Sequence, residues 1–428
     1  MALLWSVRIP TWAAIVWRKY LARGRRAQNR VDDPRSIIVF RLDQLGDVVL
    51  TTPLFRELKR LYPQARCTVV VRPEYKAILL TNRNIDEILT LPELRVRWLP
   101  VRARWLASAV WFYRMRLRHR RFDLAISPRW DVDESLATLL CVLTQSSMRI
   151  GYSAGVSPDK HMLNRGFDVA FDVVIPPGQL QREVDRNLAI VEALGGKVRS
   201  SSLEIRLTDN DRRFADELLT HHEPRRALVA IGIGGRAAGR RWPLERYAET
   251  IARLNRDLLV QPLILCSEEE DSMASDLSVV LKVPPYILSG VPLRTVCAVL
   301  EKCDLFIGND TGTAHLAAAM DCPAVVISRH PTNGDQNHAN SPARFGPRCE
   351  YSRVVQPLSG AGDCVTSCRS REAHCILKVT VDRVFSAALE LLLAERRMAP
   401  SRIRLAGLGA APMQPGDDRQ PVRAMMLS

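Results

Sequence analysis

Short apolar runs alternate with longer stretches of helical period through most of this chain. SIIVFR (Ser36 to Arg41) predicts a buried strand, and LDQLGDVVLTTPLFRELKRLYP after it predicts a turn and a helix ending before Pro63. The alternation continues with CTVVVR (Cys67 to Arg72), a helical stretch over Tyr75 to Leu80, IDEILTL (Ile85 to Leu91), FDLAISP (Phe122 to Pro128), a helix over Glu134 to Leu143, and MRIGY (Met148 to Tyr152). A polar, glycine-bearing stretch to about Val173 carries no clear period. An amphipathic helix over Gln181 to Leu194 then ends at Gly195-Gly196. Lys197 to Arg226, polar and weakly periodic, reads as a domain junction. A second series follows: ALVAIGIGG (Ala227 to Gly235), a helix over Leu244 to Leu254 opened by Pro243, PLILC, then DLFIGNDTGTAHLAAAMDCPAVVI (Asp304 to Ile327) as strand, turn, helix and strand. Val379 to Arg397 predicts a last helix. Strands alternating with helices in this way predict parallel sheets, hence an α/β protein.

Length turns one series into two domains, since 428 residues exceed what a single ordinary core holds. The expected division is a leader over 1–31, an N-terminal domain over 32–200, a C-terminal domain over 201–378, a helix over 379–398 and a disordered tail over 399–428. No uncharged apolar run approaches the length needed to cross a bilayer. A secretory signal is not expected either, because the first apolar run is broken by Pro10 and followed, not preceded, by its basic cluster. The ten cysteines are scattered, with Cys266 and Cys322 inside apolar runs, as in a reduced interior.

Charge narrows the partners. The net charge of +15 favours anionic ones, whether nucleic acid, phospholipid or a phosphorylated substrate. No nucleic-acid-binding signature accompanies it, so nucleic acid is not the expected partner. The charge is also concentrated. Residues 1–31 hold no acidic side chain, and Trp12, Ile15, Val16 and Tyr20 would share one side of a helix among arginines; a solvated basic leader is the plainer alternative. Between Glu93 and Asp123 nine arginines, Arg102, Arg104, Arg114 and Arg116 among them, stand beside Trp98, Trp105 and Trp111. Six of the eight tryptophans thus lie in two basic segments, a pattern that suits a lipid interface or a phosphorylated amphiphilic acceptor.

Three short constellations carry candidate chemistry. In the first, Gly46 permits close backbone approach and Asp47 sits where a helix begins; it is either a general base or an ordinary first-turn aspartate, with Asp43 as its neighbour and competitor. In the second, Arg240 or Arg241 of RRWP would reach a diphosphate or simply carry surface charge, and Glu268 follows a strand at the edge where doubly wound sheets bind ligands. In the third, Asp310, Thr311, Gly312, Thr313 and His315 crowd a helix start, whose free N–H groups form an anion site; capping and packing are the alternative roles. Cys364, Cys368 and Cys375 miss the usual zinc spacings and fall one ligand short unless Cys349 or His374 joins, so they are read as structural thiols rather than a metal site.

LDQLGDVVLTTP, RRWP and GNDTGTAHLAAA, in this order, resemble glycosyltransferase family 9, the ADP-heptose:lipopolysaccharide heptosyltransferases, over about residues 36–395. The resemblance implies a GT-B fold, two Rossmann-like doubly wound domains facing a central cleft, and an inverting transfer that needs no metal or other cofactor. It implies Asp47 as the base for the acceptor hydroxyl, and Arg240, Glu268, Asp310, Thr311, Gly312, Thr313 and His315 around a nucleotide sugar. Arg240 stands where the family usually has lysine, which keeps the charge and changes its geometry. The implied partners are ADP-heptose or another nucleotide-sugar donor and an anionic glycolipid acceptor, the implied place the cytoplasmic face of the inner membrane. Arg102, Arg104, Trp105, Arg114 and Arg116 are the expected acceptor or membrane contacts.

Overall fold

The computed structural model describes residues 33–93, 101–178, 182–347, 351–368 and 370–398. The leader over 1–31 and the tail over 399–428 lie outside the described residues. The chain divides after Arg206 into two units, each built on one six-stranded sheet.

In the first unit the elements run β1 (Ser36–Phe40), α1 (Leu45–Leu61), β2 (Arg66–Val71), β3 (Glu87–Thr90), α2 (Val101–Phe112), β4 (Leu124–Ser127), α3 (Ala137–Leu143), β5 (Met148–Tyr152), α4 (Pro158–Asn164), β6 (Val173–Ile175) and α5 (Glu183–Ala193). The sheet order is β3-β2-β1-β4-β5-β6, every pair parallel. β1 and β4 are buried almost throughout, as strands covered on both faces must be. Helix α1 runs through Pro53, which has no N–H to give the Val49 carbonyl, a loss worth roughly 3 kcal/mol in a helix interior. The Thr52 hydroxyl donates to that carbonyl at 2.7 Å instead.

The second unit runs α6 (Asp209–Leu218), β7 (Ala227–Gly232), α7 (Leu244–Asp257), β8 (Val260–Cys266), α8 (Asp271–Val280), β9 (Tyr286–Ser289), α9 (Leu293–Leu300), β10 (Leu305–Asn309), α10 (Gly312–Ala319), β11 (Ala324–Ile327), α11 (Pro342–Phe345), β12 (Ser352–Val355) and α12 (Val381–Met398). Its order, β12-β11-β10-β7-β8-β9, is the first sheet's order repeated, again all parallel. Its core joins the β7, β8 and β10 side chains to Trp242, Tyr247 and the inner face of α12. At the centre the Phe306 ring fills the space above Gly232 and Gly308, where a Cβ would come within 2.7 and 2.5 Å of it.

Both sheets are thus doubly wound, and the α/β class and the two-unit organisation follow from the strand order. Several elements lie where the pattern predicts none, among them α2, α4, β6, α6, β9, α9, α11 and β12. β6 occupies the stretch read as irregular, and at three residues is too short to show a period. α6 lies in the expected junction and buries only Ala215. It is held by charge rather than by an apolar face: Thr208 and Asp211 cap it reciprocally, Arg294 pairs with Asp211, and Arg212 holds Glu301 at 2.8 Å. Among the described residues no helix is long and apolar enough to cross a membrane.

Candidate functional site

In a doubly wound sheet the crevice opens where the strand order reverses, beyond the carboxyl ends of the strands. In the first unit that point lies between β1 and β4, and Asp47 stands there, third residue of α1, with one carboxylate oxygen accepting the Gln44 N–H at 3.1 Å. Arg41, directly after β1, is fully buried. Its guanidinium reaches Asp43 at 3.3 Å, Asp47 at 3.4 Å and Glu183 of α5 at 3.6 Å. Arg129, two residues beyond β4, approaches Asp43 at 3.4 Å and Asp47 at 3.7 Å. Arg186 completes the network beside Glu183 and stacks 3.7 Å over the Trp130 ring.

Three carboxylates and three guanidiniums therefore balance in a site with little solvent, and Asp47 is 7 % exposed. Burial raises the Asp47 pKa, and the Asp43 and Glu183 charges add to the rise against the pull of Arg41 and Arg129. The helix start would hold the carboxylate acidic; desolvation wins over it. An ionised Asp47 is consequently a stronger base than a surface aspartate. Arg41, Arg129, Glu183 and Arg186 carry no motif of their own, and the signal that could have found them is position just past β1 and β4, or on the facing helix.

In the second unit the reversal lies between β7 and β10. Asn309, the last residue of β10, is fully buried and uses its whole side chain. Its oxygen accepts the Trp242 N–H and the Tyr247 hydroxyl, both at 3.0 Å, and its amide donates to the carbonyls of Ile233 at 2.9 Å and Gly234 at 3.0 Å. One side chain thereby fastens the RRWP turn to the glycine loop after β7. Trp242 adds a bond from its ring N–H to the Val379 carbonyl at 2.9 Å.

Beside this joint Arg240, Asp310, Ile327, Arg329 and Asn340 line one pocket. Arg240 donates to Asn340, and Ser328 donates to Asp310 at 3.4 Å. Burial lowers the Arg240 pKa, Asp310 opposes that, and Arg329 and Arg236 add to it; guanidinium nevertheless keeps its proton in proteins. Burial likewise raises Asp310, while Arg240 and Arg329 pull it down. Two guanidiniums beside one carboxylate, with Arg236 acting on Arg240, leave a positive pocket suited to an anion such as a diphosphate. Arg329, absent from the motifs, sits two residues past β11 at the ligand-binding edge.

Thr311 caps α10 through its backbone, and Gly312 and Thr313 form the first turn, half-buried and open to a ligand. His315 is 5 % exposed, and burial lowers its pKa to about 4. It is therefore neutral at physiological pH, and its Nδ1 has no hydrogen-bond partner among the described residues. It can offer a hydrogen bond there, not a charge. Glu268 is exposed just beyond β8 and lies against Gly290, where φ is +62° and a Cβ would come within 2.6 Å of its side chain. Glu270 is tied instead to the glycine loop, accepting the Gly235 N–H at 3.2 Å and the Ser267 N–H at 3.1 Å.

The basic segment divides. Arg104 pairs with Glu93 at 3.5 Å, and Trp105 lies beneath the Arg72 guanidinium against the core of the first unit. Trp105 is thus not the outward aromatic that the sequence suggests; Trp111 is, 43 % exposed beside Val110 and Met115. Arg114 and Arg116 are exposed next to them, whereas Arg120 holds Glu87 through two 2.8 Å bonds; the Arg102 side chain lies outside the description. Two Asp-x-Asp triplets occur, and the second aspartate of each serves a helix end: Asp133 accepts the Ala137 and Thr138 N–H groups, and Asp211 caps α6.

Comparison with known proteins bears on this arrangement. A family model described as glycosyltransferase family 9 (heptosyltransferase) matches residues 110–334, more than half of the chain. The lipopolysaccharide core heptosyltransferase OpsX of Haemophilus influenzae is 22% identical over 329 residues, 75% of this chain and 84% of that protein. Among solved structures, a family 9 glycosyl transferase of Veillonella parvula superposes with a TM-score of 0.65 at 21% identity, covering 84% of this chain and 98% of that one. The Escherichia coli heptosyltransferase WaaC with ADP gives a TM-score of 0.59 at 16% identity, covering 83% of this chain and 99% of that one.

Proposed function

The chain belongs to glycosyltransferase family 9 and is a glycosyltransferase; from that premise we propose that it transfers a heptose from ADP-heptose to a lipopolysaccharide core acceptor, with inversion and with no metal in the chemical step. The observation that carries the reading is that each unit has its own unlike switch point, one holding a buried, basic carboxylate and the other a cationic pocket at a helix start. A relative named as a lipopolysaccharide core heptosyltransferase and another solved with ADP support the choice of sugar and nucleotide.

The mechanism follows from the residues. The ionised Asp47 carboxylate accepts the proton of the acceptor hydroxyl as its oxygen attacks the anomeric carbon of the sugar. The bond from that carbon to the diphosphate breaks on the opposite face, and the nucleoside diphosphate leaves with the electron pair. Arg240, Arg329 and the first-turn N–H groups of α10 meet the charge that develops on the leaving group, the task a divalent cation performs elsewhere. Asp310 draws the two guanidiniums toward the pocket, the neutral His315 donates a hydrogen bond, and Glu268 takes the ribose. Arg41 and Arg129 are positioning residues that fix the Asp47 carboxylate. The exposed Val110, Trp111 and Met115, flanked by Arg114 and Arg116, rest on an anionic lipid surface and bring the first unit to its acceptor at the inner face of the membrane.

The test is transfer to a deacylated, phosphorylated core acceptor with ADP-heptose, UDP-hexose and GDP-hexose offered in parallel. Turnover with ADP-heptose alone is expected. Turnover confined to another donor would replace the sugar in this reading and leave the family unchanged.

A further inference from the structure

Between β12 and α12 the chain makes a loop whose side chains converge on a point. The Sγ atoms of Cys364, Cys368 and Cys375 and one ring nitrogen of His374 all lie within 4.8 Å of one another, so the fold supplies the fourth ligand that the spacing of the cysteines left in doubt. The Cys364 and Cys375 sulfurs are each 3.6 Å from the His374 Nδ1. A tetrahedral zinc ion with bonds of about 2.3 Å to sulfur and about 2.0 Å to nitrogen sets its sulfur and nitrogen ligands roughly 3.6 Å apart. Two of the six donor separations thus match the edges of a coordination tetrahedron, and the others do not exceed 4.8 Å. Backbone N–H groups complete the surroundings: Ala361 donates to the Cys375 sulfur at 3.3 Å, and Cys375 and Ser370 donate to the Cys368 sulfur, the usual support of thiolate ligands. Gly362 takes φ +54° to bring the chain round, with its Cα face against the His374 ring.

We propose that Cys364, Cys368, His374 and Cys375 form a structural zinc site. Four protein ligands close the coordination sphere, so the ion has no open position for a substrate and takes no part in the transfer. Its role is to fasten the donor pocket from outside. The Thr366 carbonyl, between two of the cysteines, accepts the Asp335 N–H at 2.8 Å and so anchors the loop that carries Asn340. The Ser370 carbonyl accepts from Arg329 at 2.9 Å, and the Arg371 carbonyl accepts the Gly239 N–H at 2.7 Å, immediately before Arg240. At Gly239 a Cβ would come within 2.6 Å of the Ser370 carbonyl, so the two turns are in contact. Three carbonyls of one short loop therefore hold three segments of the pocket, and among its described residues the loop has only a single 3-10 turn, Cys375–Lys378, to keep its shape.

The experiment measures metal in the full-length chain, purified under reducing conditions without chelator, by elemental analysis. About one zinc ion per chain is expected, retained in Cys266→Ser and reduced to less than about a tenth in Cys364→Ser and Cys368→Ser. Replacement by cobalt(II) should give the visible d–d and thiolate charge-transfer bands of tetrahedral coordination. His374→Cys, which preserves four ligands, should keep the ion and strengthen the charge-transfer band; it guards against cysteine variants that merely fail to fold. A native chain that holds neither zinc nor cobalt would overturn the site, as would metal content unchanged in both cysteine variants or a disulfide among the three cysteines in freshly purified protein. Stoichiometric iron in place of zinc would overturn the choice of ion.

Discussion

The switch points of the two units share a topology and differ in charge. In the first, Arg41 and Arg129 lie among Asp43, Asp47 and Glu183, and every charge has an opposite within 4 Å. In the second, Arg240 and Arg329 act on the single carboxylate Asp310, and Arg236 adds its charge beside Arg240. Burial raises the pKa of Asp47 and of Asp310 alike, so desolvation does not distinguish them. What distinguishes them is the remaining charge: a balanced network leaves a carboxylate able to exchange a proton, and a cationic surplus leaves room for an anion. Strand order fixes where each site lies, and the residues just past the strands decide its chemistry.

Replacing the carboxylate of Asp47 should have the largest effect, confined to the first site. Asp47→Asn keeps the size of the side chain and its bond from the Gln44 N–H but removes the base, and kcat should fall by about 100- to 10,000-fold while donor affinity stays level. The pH profile sharpens the same point. The base acts ionised, so kcat/KM should decline as pH falls through an Asp47 pKa that burial and two carboxylates hold above the ordinary value near ~4. Asp43→Asn removes one of those carboxylates and should move the acid limb to lower pH. An acid limb that stays in place would assign it to another group.

The second unit should respond in the other parameter. Arg329→Ala removes a charge-assisted contact worth roughly 1.5 to 3 kcal/mol, a rise of about 10- to 100-fold in donor KM, with the Asp47 acid limb unmoved. Arg240→Lys should cost less than Arg240→Ala, because the charge survives and only the planar fork is lost. Donor titration and acceptor titration on each variant separate these outcomes. A variant that weakened the acceptor alone would place Arg329 outside the donor pocket.

Much of this arrangement is legible along the chain, for identifiable reasons. β1, β7 and β10 are buried on both faces and therefore appear as unbroken apolar runs, and the helices after them carry their caps in the sequence. What stays hidden depends on long-range placement. Asn309 reads as one more polar residue in a turn until its four partners, drawn from Ile233, Gly234, Trp242 and Tyr247, are brought round it. Arg41 ends an apolar run and looks like a surface residue, yet it is fully buried because three carboxylates surround it. His374 falls outside the cysteine spacing for the same reason: its part is set by a turn through Gly362, not by sequence interval. α6 is missed for the opposite reason, since charged residues dominate its sequence and Ala215 is the only side chain it buries.

The smallest effect is expected at the basic segment, where the comparison becomes one of surfaces. On the last turns of α2 and just beyond it, Val110, Trp111 and Met115 are 44 %, 43 % and 64 % exposed, and Arg114, Arg116 and Arg118 are exposed around them. Apolar side chains left in water beside cations fit an interface in which rings enter the headgroup layer and guanidiniums meet phosphate. Trp111→Ser combined with Met115→Ser should lower partition onto vesicles containing anionic lipid by about tenfold, near the 1.4 kcal/mol that factor represents, without changing turnover on a deacylated, water-soluble acceptor. Arg114→Gln with Arg116→Gln should weaken the same partition mainly at low salt, because exposed charges are screened over about 8 Å at physiological ionic strength. Vesicle binding untouched by both pairs, with the KM for the soluble acceptor raised instead, would move this surface from the lipid to the acceptor.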